Sequence, residues 1–308
     1  MPIVIESHQT SSLQLEELIE RLDKGLDTRC HDSMQAAADD LKALANNRTF
    51  LADRVARELK DLATMQRGNT YTPQVVMLHL NPCKNYFLRA NIWPSADDAV
   101  MQASGPDPFF YHKPHDHNFN FLTVGYHGPG YWSDYYEYDY DKVAGYPGES
   151  MGLRFIERSA LAEGKVMLYR AFVDVHDQLP ADELSISLNI MENTLRPVVT
   201  DQYAADTAAG VIKKMVNRNN MVCVLSVAAA IGDENTVDII DHIAHHHVNP
   251  RIRFAALKSM GSRVADAGQR IDLLTQGLGD ASVLVRESAR VEIQKVMAPR
   301  LELGHGAA

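Results

Sequence analysis

Four histidines, His112, His115, His117 and His127, fall in one short aromatic-rich run that alternates like a β-strand. Strand side chains point alternately to opposite faces, so His115, His117, Phe119, Phe121 and Thr123 are expected to share one face. Two imidazoles two residues apart on such a face can hold one metal ion. The plain alternative is a histidine cluster in a surface loop. A metal site also needs a third ligand from another strand. The run from Gly164 to His176 offers one, with a turn-like start at Glu163-Gly164, a strand, and His176 at its end. The next run, Ser185 to Met191, alternates cleanly and could pair beside it.

The elements that must position these residues form three blocks, expected at residues 1–70, 71–198 and 199–308. In the first, Leu13, Leu15, Leu18, Ile19 and Leu22 make a helical stripe after Ser11-Ser12, a capping-type pair, and Gly25 ends it. A second helix is expected from about Ser33 to Leu44 and a third from about Phe50 to Met65, with Gly68 as its stop. This block is read as a helical layer on a neighbouring sheet. From about Gln74 the texture turns to short strands. Gln74–Leu80 and Asn85–Trp93 are split by Asn81-Pro82, and Phe87, Arg89, Asn91 and Trp93 share a face in the second. Ala96 to Ser104 reads as a short helix. After the histidine run come the turn signal Gly125–Tyr131, the tyrosine-rich Tyr135–Tyr140, and strands near 152–159, 165–175 and 184–191. Many short strands at turn-punctuated spacing indicate a sandwich or barrel.

Beyond Arg196-Pro197 the chain reads as helical, with a repeat. Aligning Arg253 with Arg286 also aligns Ala256 with Ala289, a period of 33 residues. Each copy opens a helix, with another amphipathic helix between. The pair 221–230 and 236–246 looks like a degenerate copy. Helix pairs stacked at such a period form an α-solenoid, and residues 205–298 resemble HEAT-like repeats. Arg253 and Arg286 are read as structural repeat positions. His245-His246-His247 and the i,i+4 pair His242/His246 are read as last-turn histidines favoured by the helix dipole, with Asn249-Pro250 ending the helix.

The order of residues 74–195 resembles a cupin, the double-stranded β-helix barrel. In cupins a first motif carries His-x-His and a carboxylate, and a second carries one His. By that resemblance His115, His117 and His176 take the three histidine positions and ligate the metal. The carboxylate position falls on Phe121, so the usual acid is missing, and the Pro-x-Gly of the second motif is absent. Asp116 adjoins His115 and points to the opposite face. What remains is a three-histidine face, as in thiol dioxygenase-like cupins, or a two-histidine site completed by water. The fold class is therefore α+β multidomain: N-terminal helices, a central cupin-like β-barrel and a C-terminal α-solenoid.

Neutral imidazoles suit Fe(II), Zn, Ni or Cu by softness. A dry barrel lined by Phe119, Phe121 and Phe172 would contain reactive oxygen species, which favours an iron oxygenase. No His-Glu-x-x-His or His-x-x-Glu-His spacing of a zinc hydrolase is present. Counting back from His176 along a regular strand puts Asp174, Phe172 and Arg170 inward. Arg170 and Arg89 are then the candidates to bind a substrate or cosubstrate acid, the alternative for each being a structural ion pair. Tyr126 and Tyr131, beside the glycine turn, are candidates to hydrogen-bond substrate or oxygen, against half-buried rim packing. His112 and His127 are reserve ligands or rim histidines.

The chain has 308 residues, 45% of them hydrophobic, and a net charge of -10. That balance, without a basic stripe, excludes nucleic acid as a partner. Cys30, Cys83 and Cys223 are scattered and odd in number, which points to a reducing compartment. No signal peptide or membrane-spanning stretch is read, so a cytoplasmic protein is expected. The leading expectation is an O2-dependent hydroxylase or dioxygenase. Its substrate is expected to be an amino-acid side chain, free or in a peptide or protein docked by the helical repeats. Use of 2-oxoglutarate is open, and the missing carboxylate ligand leans away from it. The alternatives are a non-enzymatic metal-dependent sensor or binding module, and a Zn or Ni cupin isomerase or lyase. The open edges of a cupin barrel favour a homodimer.

Overall fold

The computed structural model describes residues 1–298 apart from 62, 64, 68, 218 and 219. Gly68, the expected stop of the third helix, and the end of the expected 199–308 block therefore lie outside the described residues. The chain divides into two units. The first comprises residues 1–142 and 150–216, and the second comprises 143–149 and the chain from 217.

Among the described residues, twelve strands of the first unit form two antiparallel sheets. They are β1 (Ile3–Ile5), β2 (Val75–Leu80), β3 (Tyr86–Trp93), β4 (His115–Asp116), β5 (Phe121–His127), β6 (Trp132–Glu137), β7 (Arg154–Ala160), β8 (Val166–Tyr169), β9 (Asp174–Leu179), β10 (Ser185–Glu192), β11 (Tyr203–Asp206) and β12 (Val211–Met215). One sheet runs β1-β8-β5-β10-β3-β2 and the other β12-β11-β4-β9-β6-β7. The helices of this unit are α1 (Leu15–Leu22), α2 (His31–Ala36), α3 (Ala38–Asn46), α4 (Phe50–Glu58), α5 (Ala99–Ser104) and α6 (Arg196–Val199).

Period-two alternation explains the layering. Leu88 and Ala90 of β3, Leu122 and Val124 of β5, Leu168 of β8 and Ile190 of β10 face one way. They pack under Leu18, Met34, Leu41, Leu44 and Phe50 of the N-terminal helices. The opposite residues, among them Phe87, Trp93, Phe121, Met167, Tyr169 and Met191, join Tyr135 of the second sheet in an inner core. Each core side chain of leucine or phenylalanine size contributes roughly 1.5–3 kcal/mol by leaving water. The first sheet is thus apolar on both faces, with helices on one and the second sheet on the other.

Six expectations need correction. The histidine run is not one strand: it leaves the second sheet after Asp116 and enters the first at Phe121. The run from Gly164 to His176 is likewise cut into β8 and β9 by a turn in which Phe172 adopts φ +65°. The N-terminal block is not purely helical, because β1 pairs with β8. The block boundary expected at residue 198 falls inside the barrel unit, since β11 pairs with β4 and β12 with β11. Finally, the expected 33–44 helix is two helices that meet at Ala37, and α1 starts after Gln14 rather than Ser11-Ser12. The Leu13 N–H is bonded to the Ala43 carbonyl, and Glu17 accepts from the Gln14 N–H at 2.7 Å, which sets the start at Leu15.

The second unit is helical: α7 (Asn220–Ile231), α8 (Glu234–His246), α9 (Pro250–Arg263), α10 (Ala267–Thr275) and α11 (Val283–Met297). Asp233, Asn249 and Asp266 cap α8, α9 and α10 through their side chains, and Pro250 occupies the first position of α9. Leu225, Ala229, Ile240, Ile252, Ala256 and Leu274 form its core. No described helix is long and apolar enough to cross a membrane.

Candidate metal centre

His115 and His176 are direct register partners across β4 and β9. His117 lies two residues past His115, where the chain leaves β4. The three imidazoles each present a nitrogen within 4.8 Å of the others, and all three are buried. Among the described residues they are the one group of three or more His, Cys, Asp or Glu side chains placed to hold an ion.

The even-numbered residues of the same run hold it in place from the other side. Asp116 accepts from the Tyr203 backbone N–H at 2.6 Å and from the Tyr138 hydroxyl. Asn118 donates to the carbonyls of Pro197 and Thr200 at 3.1 and 2.9 Å. Asn120 donates to the Thr28 carbonyl at 2.9 Å and accepts from the Ala171 N–H at 2.8 Å. The Phe172 N–H donates to the His117 carbonyl at 2.8 Å, so the left-handed turn between β8 and β9 clamps the ligand-bearing backbone. Burial raises the Asp116 carboxyl to about 7, against its bonds to Tyr138 and Tyr203.

Electrostatics favour neutral ligands. Burial holds His115 below the ordinary histidine range and His117 and His176 well below it. At neutral pH their lone pairs are free. His115 Nδ1 donates to the Lys113 carbonyl at 2.6 Å, which leaves Nε2 as its ligand atom. Neither ring nitrogen of His176, nor Nδ1 of His117, has a hydrogen-bond partner. Buried nitrogens are rarely left so, and a metal ion would take one nitrogen of each ring. The donor set therefore fits a divalent transition metal.

The triad opens into a cavity of about 400 Å³. Phe87, Arg89, Asn91 and Trp93 of β3 line it, with Phe119, Phe121, Tyr131, Gln178 and Asn189. Phe121 stacks on Tyr169 at 4.2 Å and meets His117 edge-on at 4.9 Å. Tyr131 stacks on Trp93 at 3.8 Å, and its hydroxyl lies 3.4 Å from that of Tyr169. Tyr135 approaches the same Tyr169 hydroxyl at 3.1 Å.

The expected site residues divide. His115, His117 and His176 converge, and Arg89 and Tyr131 reach their cavity. Arg170 does not: its guanidinium bonds Asp174 at 2.7 Å and Glu137 at 2.8 Å, outside the cavity lining. The count back from His176 fails because residues 170–173 turn instead of continuing the strand. Tyr126 lies on the helix-facing side of β5, edge-on to Phe50, with its hydroxyl donating to the Asn47 carbonyl at 3.1 Å. Phe172 packs on Tyr140 and under Arg196 rather than lining the cavity. His112 and His127 are exposed. Gln178 and Asn189 are cavity residues that sequence reading missed. Their parity with His176 on β9 and with Met191 on β10 was the available signal.

No protein-family model matches this chain, and neither does any curated protein. Among solved structures, hydroquinone 1,2-dioxygenase PnpCD, crystallised with Cd2+ and 4-hydroxybenzonitrile, is similar at 11% identity and TM-score 0.24, over 42% of this chain and 69% of that one. A salicylate 1,2-dioxygenase from Pseudaminobacter salicylatoxidans is similar at 11% identity and TM-score 0.26, over 54% and 37%. Hydroquinone 1,2-dioxygenase from Sphingomonas sp. TTNP3 with 4-hydroxybenzoate bound gives 12% and 0.25, over 41% and 70%. Likenesses this slight carry no argument about chemistry.

Proposed function

We propose that this chain is a non-haem iron oxygenase, a dioxygenase or hydroxylase, acting on a small molecule held beside the three histidines. The observation that carries this reading is the donor set: three buried imidazoles, two of them with unpartnered nitrogens, at an aromatic-walled cavity. Among the described residues no carboxylate joins this group. Three neutral ligands leave a divalent ion its full charge and open positions. Iron bound there would supply the activation of dioxygen.

The chain's own residues then have distinct tasks. His115, His117 and His176 hold the ion, and the Lys113 carbonyl fixes the His115 tautomer. Phe119 and Phe121 keep water from the ligand face. Tyr131 offers a hydroxyl inside the cavity. Arg89 is the expected acid-binding arginine that reaches it, so the cavity has one cationic anchor for a substrate or for 2-oxoglutarate. A volume of about 400 Å³ lies in the small-molecule range.

The test is O2 uptake by anaerobically purified protein reconstituted with Fe(II) or with Zn(II), with and without 2-oxoglutarate, over a panel of small organic substrates. Uptake with iron and none with zinc is expected. Turnover with zinc or nickel and no O2 consumption would replace this reading with an isomerase or lyase. Stoichiometric iron with no turnover of any kind would favour a sensor.

A further inference from the structure

We infer that the substrate is a small organic acid whose carboxylate pairs with Arg89 and whose hydroxyl or amino group donates to Asn91 or Gln178. This deepens the reading above and rests on it for the cavity being the active site. The observation is a set of buried polar groups left without partners. Arg89 lines the cavity, partly buried, and its Nε is buried with no hydrogen-bond partner. Asn91 Oδ1 and Gln178 Oε1 line the same cavity and also lack partners. A guanidinium N–H buried without an acceptor is costly, and such groups are ordinarily paired.

Among the described residues, no carboxylate pairs with Arg89. The one acid among the cavity-lining residues is Glu192. Its oxygens are already taken by the Arg196 guanidinium, the Thr194 hydroxyl and the Asn120 N–H. The Tyr71 ring lies 5.2 Å from the Arg89 guanidinium carbon and gives it a cation–π contact, which bonds none of its N–H groups. With a divalent ion on three neutral histidines, and Glu192 paired with Arg196, the unpaired charge in the cavity would be positive. An anionic ligand is what that field selects.

Donor and acceptor types set the rest. Arg89 can only donate, so it needs an acceptor, and its fork matches a carboxylate. The free amide oxygens of Asn91 and Gln178 can only accept, so the ligand must also donate. The aromatic residues Phe87, Trp93, Phe121 and Tyr131 line the same cavity. A planar apolar body suits them.

Three probes test this by calorimetry and by quenching of Trp93 fluorescence: benzoate, its neutral isostere benzamide, and 3-hydroxybenzoate. Each is titrated into metal-loaded protein. Benzoate is expected to bind at least tenfold more tightly than benzamide, and 3-hydroxybenzoate more tightly than benzoate. Arg89→Met should abolish the acid preference with metal content unchanged, and Asn91→Leu should reduce the gain from the hydroxyl. Equal affinity for acid and amide, or no acid binding, would overturn the inference, even were Arg89→Met not to fold. So would an acid preference that survives Arg89→Met. Protein that binds metal but treats acid and amide alike loses this inference and keeps the oxygenase reading. Protein that binds acid through Arg89 but holds no metal does the reverse.

Discussion

His115 and His176 stand opposite each other across the antiparallel pair β4–β9, with ring centroids 4.8 Å apart. Their meeting is a matter of register. A slip of one residue between these strands would send His176 to the far face and break the triad. β4 is only two residues long, so its own ladder is too short to fix that register. The pins are the polar residues that alternate with the ligands: Asp116, Asn118 and Asn120.

Asn120→Ala should therefore cost stability and metal together. It leaves the Thr28 carbonyl and the Ala171 N–H without their bonds inside the protein. The expected loss is about 3 kcal/mol, from two buried groups at roughly 1–3 kcal/mol each. Urea unfolding and metal content of the purified variant measure both. A change within about 0.5 kcal/mol, the range of an ordinary surface substitution, would show that the anchor is dispensable.

Tyr126→Phe separates the two faces of β5. Its hydroxyl bonds the Asn47 carbonyl on the helix side, away from the cavity. Loss of about 1 kcal/mol is expected. Metal content and O2 uptake should match wild type. A tenfold loss of turnover in a normally loaded, folded variant would return Tyr126 to the site.

Much of the site was legible because period two survives a break in the strand. His115, His117, Phe119 and Phe121 all reach the cavity although the chain changes sheets between Asp116 and Phe121. The same rule failed at Arg170 and Phe172, where it was carried through a turn that no glycine or proline marks. The Phe172 φ of +65° is unusual for a bulky side chain, so sequence gave no warning of it. At Tyr126 the rule itself gave the right answer: it has the parity of Leu122 and Val124, and proximity to the glycine turn was the misleading signal. Strands β11 and β12 were hidden because Tyr203–Asp206 and Val211–Met215 are short and partly polar, and the helical texture after residue 217 was extended back over them. The 33-residue spacing corresponds to a shared contact. Arg253 donates to the carbonyls of His247 and Val248, and Arg286 donates to those of Asp280 and Ala281. Each arginine thus ties down the turn before its own helix.

The helical unit should lose stability in acid through one of these arginines. Asp280 accepts from Arg253 at 2.7 and 2.8 Å, and that bond, ahead of opposing burial, holds its carboxyl below the ordinary range. A depressed carboxyl stabilises the fold above its unfolded value, about 3.9, and that contribution fades as pH falls through the lower folded value. Thermal melts between pH 6 and pH 2.5 should show a steeper acid loss for wild type than for Asp280→Asn. Parallel profiles would mean that the pair contributes nothing.

The most direct measurement is metal content per chain in protein purified anaerobically, wild type beside His115→Ala, His176→Ala and Tyr126→Phe. One ion per chain in wild type and Tyr126→Phe, lost in both histidine variants while their folds persist, is the predicted result. Metal retained after either histidine is removed, or none in wild type supplied with iron, would contradict a centre built from β4 and β9.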